Sequence, residues 1–118
     1  MSAPITPNEV ALQLSRLARD LDETVRVLEG ADRDATEKRA AADLAFSRAF
    51  LSATGSVDAR KHEATVATHT QRLNADVAEA VVRHLRRRID AIKTRVDVGR
   101  SYGAAIRAEL NLTQVGVD

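Results

Sequence analysis

The chain has 118 residues, a net charge of +1, only 3% aromatic residues, and neither Cys nor Trp. This length suits one domain, and the lack of Cys excludes a disulfide framework and thiolate metal sites. Both prolines, Pro4 and Pro7, lie near the N-terminus, so the rest of the chain has no proline break. A long proline-free sequence rich in small aliphatic residues is typical of closely packed helices and predicts an all-α protein.

The sequence offers no segment for insertion into a membrane. No apolar run approaches the roughly 20 residues that are needed to span a bilayer. The N-terminal residues lack the basic and apolar regions of a secretory signal. We therefore expect a soluble cytoplasmic protein that has no membrane partner.

The first predicted helix begins near the N-terminus. Thr6 can cap it, Pro7 suits the first helical position, and Glu9 can complete a capping box. We expect the helix to run from about residue 7 to 53 through Gly30, because one glycine costs only about 1 kcal/mol relative to Ala. Its apolar residues recur at helical spacing and comprise Val10, Leu14, Leu17, Leu21, Val25 and Leu28.

A turn is predicted between Ala53 and Asp58, at about residues 54–57. Gly55 can adopt the left-handed conformation that ends a helix, and Ser56 can cap the next helix. The second helix is predicted from about residue 58 to 110, followed by a frayed tail over 111–118. Residues 1–118 are thus predicted to form a single helical-hairpin domain.

Apolar residues of the second helix follow one another in steps of three and four, the spacing of a seam between two helices. They are Val82, Leu85, Ile89, Ile92, Val96, Gly99, Gly103, Ile106 and Leu110. The two glycines favour close helix approach, with a kink as the alternative. If the chain folds back at Gly55, facing residues have numbers that add to about 110. We therefore predict a long, antiparallel, coiled-coil-like two-helix hairpin.

A second apolar stripe on the same helix has no partner within one hairpin. Its members are Val66, Leu73, Val77 and Val81. Because two helices cannot cover both stripes, we predict that this stripe is an oligomer interface that completes a multi-helix bundle. The alternative is that these are singly exposed apolar residues, which are common.

No pattern of catalytic or metal-binding residues stands out. His62 and His69 are seven residues apart, which is about 10.5 Å along a helix and too far to share one metal, and His84 is further away. The sequence contains no Glu-x-x-His pair and no glycine-rich phosphate loop. We therefore expect a non-enzymatic protein with no catalytic residue, metal or cofactor.

A basic run permits two interpretations. Helical arginines can follow the phosphates of a nucleic acid. They can also pair across the hairpin, where Arg86 and Arg88 are expected to meet Asp20 and Asp22. Pairing accounts for most of the run, and nucleic-acid contact is the alternative for all four arginines: Arg83, Arg86, Arg87 and Arg88.

Two segments, AFLSATGSVDARK at 49–61 and TRVDVGRS at 94–101, resemble small uncharacterised helical proteins of tailed phages and prophages of high-GC Gram-positive bacteria. This resemblance covers most of the chain and implies a phage origin, with no catalytic residue to transfer. We therefore expect a phage accessory or assembly protein in the host-cell cytoplasm, acting by self-association and by binding another protein. The alternative is a nucleic-acid-binding accessory of phage replication or recombination.

Overall fold

The computed structural model describes residues 5–115, which form three helices and, within that range, no strand. Helix α1 spans Pro7–Ser52, α2 spans Val57–Ala67, and α3 spans His69–Val115. The predicted all-α class and the long helical hairpin are confirmed. Helix α3 continues past residue 110, where the pattern predicts a frayed tail; residues 116–118 of that tail and residues 1–4 lie outside the described range.

Helix α1 begins with the predicted capping box. The Thr6 amide donates to Glu9 Oε2 at 3.1 Å, and the Glu9 amide donates to Thr6 Oγ1 at 3.2 Å. Each side chain thus satisfies an amide that has no partner inside the helix. The helix then continues through Gly30, as its composition predicts.

The turn between α1 and α2 also has the predicted chemistry. Gly55 has a φ of +105°, in the left-handed region that favours glycine. The Ser56 side chain caps α2 by accepting a hydrogen bond from the Ala59 amide at 3.1 Å. Gly55 therefore reverses the chain, and Ser56 starts the returning helix.

Arg60 ties the two sides of this turn together, a contact that the sequence pattern did not predict. Its Nε and Nη2 atoms both donate to the Phe50 carbonyl oxygen at 3.3 Å. Its guanidinium carbon also lies 4.6 Å from the centre of the Phe50 ring. Because carbonyls in the last turn of a helix lack intrahelical partners, Arg60 both caps α1 and stacks on its aromatic side chain.

The second predicted helix is interrupted at Thr68, which separates α2 from α3. Thr68 is buried, and its hydroxyl donates to the Ala64 carbonyl at 2.7 Å, in competition with the backbone. Arg72 Nη2 donates to the Thr65 carbonyl at 2.7 Å. Side-chain hydrogen bonds therefore stabilise the carbonyls at the interruption.

The chain divides into two compact units. We call them the terminal unit, residues 1–25 and 87–118, and the turn unit, residues 26–86. In each unit a segment of α1 packs antiparallel to a segment of α3. The prediction that residues 1–118 form a single domain stays a prediction.

The buried seam of the terminal unit contains one residue that hydropathy did not predict. Ile89 and Ile92 are buried as expected, and so is Val10 on α1, but Thr24 on α1 is buried as well, at 4% exposed. The predicted stripe is wrong at Val25, which is 38% exposed. Thr24 is tolerated inside because its hydroxyl donates to the Asp20 carbonyl at 2.7 Å, so this buried hydroxyl has a hydrogen-bond partner.

The two seam glycines permit close approach of α3 to α1. A Cβ atom at Gly99 would lie 2.9 Å from Leu14 Cδ2, and one at Gly103 would lie 3.3 Å from Val10 Cγ1. These distances support close approach as the role of both glycines, and α3 continues through both. Leu110, the last residue of the predicted seam, is half exposed.

These contacts correct the predicted register. The numbers of the facing residues in both glycine pairs add to 113, whereas counting from the turn gave about 110. That count assumed an uninterrupted helix after Gly55, and the interruption at Thr68 removes its basis. The error of three residues is close to one helical turn, so the same face of α3 still meets α1.

The core of the turn unit consists mainly of small side chains. Ala35, Ala78 and Val82 form its buried cluster, and Leu28 and Ala31 pack against it. Alanine side chains bury little apolar area, at about 25 cal/mol per Å². Hydrophobic burial is therefore weak in this layer.

An ionic contact links the two long helices beside this alanine layer. Arg39 on α1 donates from Nε to Glu79 Oε1 at 2.7 Å and from Nη2 to the carboxylates of Asp76 and Glu79. Hydrogen bonding to Asp76, and then to Glu79, raises the pKa of Arg39 above its ordinary value. Arg39 thus joins α1 to two carboxylates on one face of α3.

We predict that alanine has different effects at two helical glycines. At Gly30 no atom lies within 4 Å of an added Cβ, so Gly30→Ala should raise the free energy of unfolding by about 0.5–1 kcal/mol. At Gly99 the same propensity gain is offset, because Leu14 must move away from the new methyl group. Urea unfolding followed by circular dichroism, at one protein concentration, measures both. Equal stabilisation by the two substitutions would contradict the close approach at Gly99.

Candidate functional site

The predicted interface residues Val66, Leu73, Val77 and Val81 are all exposed, by 46% to 78%. Three of them, Leu73, Val77 and Val81, line one groove of about 260 Å³ in the turn unit. Val66 does not line it and lies on α2, beyond the interruption at Thr68. The structure therefore brings together three of the four predicted residues.

The groove is apolar inside and polar along its rim. Ala31 and Ala78 also line it, and so do Asp34 and Lys38, whose side chains form an ion pair at 3.0 Å. Small side chains leave room for atoms of another molecule, and an apolar surface rimmed by polar groups is typical of a protein–protein contact. This groove, which we call the stripe groove, is the candidate interaction site of the turn unit.

The basic run is partly occupied by ion pairs. Arg88 Nη2 donates to Asp20 Oδ1 at 3.1 Å in the terminal unit, so Arg88 pairs with one of the two carboxylates predicted for the run. Arg86 Nη2 lies 3.7 Å from Asp32 Oδ2 in the turn unit, so the predicted pairing of Arg86 with the 20–22 region is wrong. The numbers 86 and 32 add to 118, so the long side chain of Arg86 extends towards the turn, beyond the residue of α1 that directly faces it.

Arg83 and Arg87 remain as candidates for contact with phosphates. Within residues 5–115, no carboxylate oxygen lies within 4.0 Å of either guanidinium group. Arg83, however, lines a cavity of about 510 Å³ whose walls also contain Asp32, Asp43 and Glu79. Arg39 and Arg86 also line this cavity and pair with Glu79 and Asp32, so charges of both signs balance there and Arg83 is not part of a basic patch.

The three histidines, His62, His69 and His84, are all exposed. Over residues 5–115, no group of three or more His, Asp or Glu side chains is arranged to hold a metal ion. None of the helices in that range is long and apolar enough to cross a membrane.

The chain was compared with protein families, curated proteins and solved structures. No protein-family model, curated protein or solved structure matches this chain.

The ion pair between Arg88 and Asp20 generates a stability prediction. Arg88→Ala should change the free energy of unfolding by less than about 1 kcal/mol, because the pair is largely exposed. Arg88→Glu should lower the melting temperature through like-charge repulsion, and adding Asp20→Arg should restore part of it. The matched control is Asp22→Arg, because the predicted register, in which facing numbers add to about 110, places Asp22 opposite Arg88. Equal rescue by Asp22→Arg would contradict the observed pairing.

Proposed function

We propose that this protein is a non-enzymatic phage accessory or assembly protein that self-associates and binds another protein in the host-cell cytoplasm. The observation that carries the proposal is the row of half-exposed apolar side chains, Leu73, Val77 and Val81, along the stripe groove. The phage setting rests on the resemblance of segments 49–61 and 94–101 to phage helical proteins.

The physical argument for self-association concerns apolar area. Complete burial of one Val or Leu side chain stabilises by about 1.5–3 kcal/mol, and much of that remains unused while these side chains face water. Within one hairpin, each helix can bury only the face that packs against the other helix. A second copy that packs along the stripe groove would bury these side chains and complete a bundle.

The rim of the stripe groove is compatible with a symmetric contact. Asp34 and Lys38 are one helical turn apart on α1 and have opposite charges. In an isologous dimer with antiparallel helices, the carboxylate of one copy can face the ammonium of the other. Such rim charges set the register of a contact more than they strengthen it.

Nucleic-acid binding is the second candidate function. It is favoured by Arg83 and Arg87, for which no carboxylate within residues 5–115 is an ion-pair partner. It is disfavoured by the engagement of Arg86 and Arg88 with Asp32 and Asp20. Its signature would be an affinity for DNA that falls steeply as salt is raised.

We predict that Leu73→Glu combined with Val77→Glu reduces self-association. Sedimentation or light scattering at micromolar concentration should show at least a dimer for the unchanged protein and a smaller species for this variant. Burying two carboxylates without partners opposes the contact. Because both side chains are half exposed, the helical content should persist.

The matched control is Leu51→Glu combined with Val57→Glu, which adds the same charge at two apolar side chains that are even more exposed. These residues do not line the stripe groove, so this variant should associate like the unchanged protein. A monomeric unchanged protein at all accessible concentrations, or equal loss in both variants, would refute self-association through this groove.

A further inference from the structure

A groove in the terminal unit, separate from the stripe groove, has space for another helix. It encloses about 640 Å³. Its walls include Val10, Gln13 and Leu17 from α1 and Arg95, Val98 and Tyr102 from α3. In both sets the residues are three or four positions apart, so each set occupies one face of its helix over about two turns. The groove between two such faces has the geometry that accepts a third helix.

The lining of this groove, which we call the terminal groove, is apolar and open to solvent. Val98 is 63% exposed, and Tyr102 is half exposed. Ile5 also lines it and directly precedes the capping residue Thr6, while Val10 is the fourth residue of α1. These are the positions of a hydrophobic staple, so the cap that starts α1 also positions one wall of the groove.

The charged side chains of the terminal groove have one sign. Arg16 on α1 and Arg95 on α3 line it, and among residues 5–115 no carboxylate does so. Within residues 5–115, neither arginine has a carboxylate oxygen within 4.0 Å. Free guanidinium groups beside an apolar surface favour a partner with carboxylates at the edges of its apolar face.

We propose that the terminal groove binds an amphipathic α-helix of another protein, with Asp or Glu flanking about two turns of apolar residues. The distance from Val10 to Leu17 along α1 is about 10.5 Å at 1.5 Å per residue, which corresponds to two turns of the bound helix. This inference rests on the part of the proposed function that concerns another protein, and it is independent of self-association through the stripe groove.

The acidic part of α1 from a second copy does not meet this description. Its large apolar residue Leu28 already packs against Ala35, Ala78 and Val82 within its own chain. Val25 and Val27 are exposed on the same part of α1, but they are two positions apart and lie on different faces of the helix. That part of α1 therefore has no apolar face of two turns for the terminal groove, which indicates a different chain.

The protein contains a natural probe for this binding. Tyr102 is its only tyrosine, and there is no Trp, so fluorescence near the groove comes from one residue. We would titrate the full chain with two synthetic helical peptides that have the same Leu and Ala face and no aromatic residue. One has Glu beside the apolar face, and the other has Lys. The Glu peptide should change Tyr102 emission saturably and bind more weakly as salt is raised, and the Lys peptide should bind at least about tenfold more weakly.

Charge reversal tests the role of the two arginines. Arg16→Glu combined with Arg95→Glu should lower the affinity for the Glu peptide about tenfold or more and raise that for the Lys peptide. The matched control is Arg19→Glu combined with Arg107→Glu, which changes the net charge equally at exposed residues outside the groove. This control should keep the preference for the Glu peptide. Circular dichroism checks that both variants remain helical.

Peptide binding is also measured in the Leu73→Glu and Val77→Glu variant, which separates this inference from self-association. Undiminished binding there, alongside loss of the oligomer, supports two independent surfaces. Equal affinity for both peptides, binding of neither, or equal loss in the Arg19 and Arg107 control would overturn the proposal. So would a change in oligomeric state on reversing Arg16 and Arg95, because a second copy would then occupy the terminal groove.

Discussion

The close contact between α1 and α3, made possible by small side chains, is the constraint on which the other features depend. In the terminal unit, Gly99 lets Leu14 approach the backbone of α3. In the turn unit, Ala35 and Ala78 perform the equivalent role with methyl groups. Helices that meet through such small residues approach closely, but they bury only a narrow strip of each surface. Other apolar residues therefore stay exposed, and they provide the surfaces on which the proposed interactions rest.

Polar contacts supplement this narrow seam where the side chains are smallest. Arg39 joins α1 to Asp76 and Glu79 beside the alanine layer, and Arg60 joins the end of α1 to the start of α2. Both arginines use several donors of one planar group, which fixes orientation as well as distance. The hairpin thus combines a weakly hydrophobic seam with directional ionic and cation–π contacts.

Much of the fold could be predicted because its signals are local. The capping box of Thr6 and Glu9 and the turn at Gly55 depend on residues within a few positions of each other, and the seam depends on a short repeat. Thr24 and Thr68 could not be predicted in the same way. Each is buried because its hydroxyl reaches a carbonyl of the preceding turn, and hydropathy counts such a residue as polar. The predicted register was wrong because the interruption at Thr68 shifts the pairing of every later residue of α3 with α1.

Of the two candidate surfaces, the sequence likewise predicted one and missed the other. The exposure of Leu73 and Val77 followed from a second stripe that one hairpin cannot cover, so the sequence was sufficient. The terminal groove was missed, although Val98 and Tyr102 have helical spacing and Ile5 occupies a staple position. Arg16 and Arg95 have numbers that add to 111, so the predicted register already brings them close together. The groove was missed because its walls come from two helices, and apolar periodicity describes one helix at a time.

Engineered disulfides test the central claim, antiparallel packing in the observed register, most directly. The chain has no Cys, so any cross-link comes from the introduced pair. Leu14→Cys with Gly99→Cys, and separately Ala35→Cys with Ala78→Cys, should form intramolecular disulfides quickly in dilute oxidising buffer, because bridged Cα atoms must lie within about 7 Å. Leu14→Cys with Ile106→Cys is displaced by about two turns and should stay reduced. Fast cross-linking of that displaced pair, or disulfides of the other pairs only between molecules, would contradict the account.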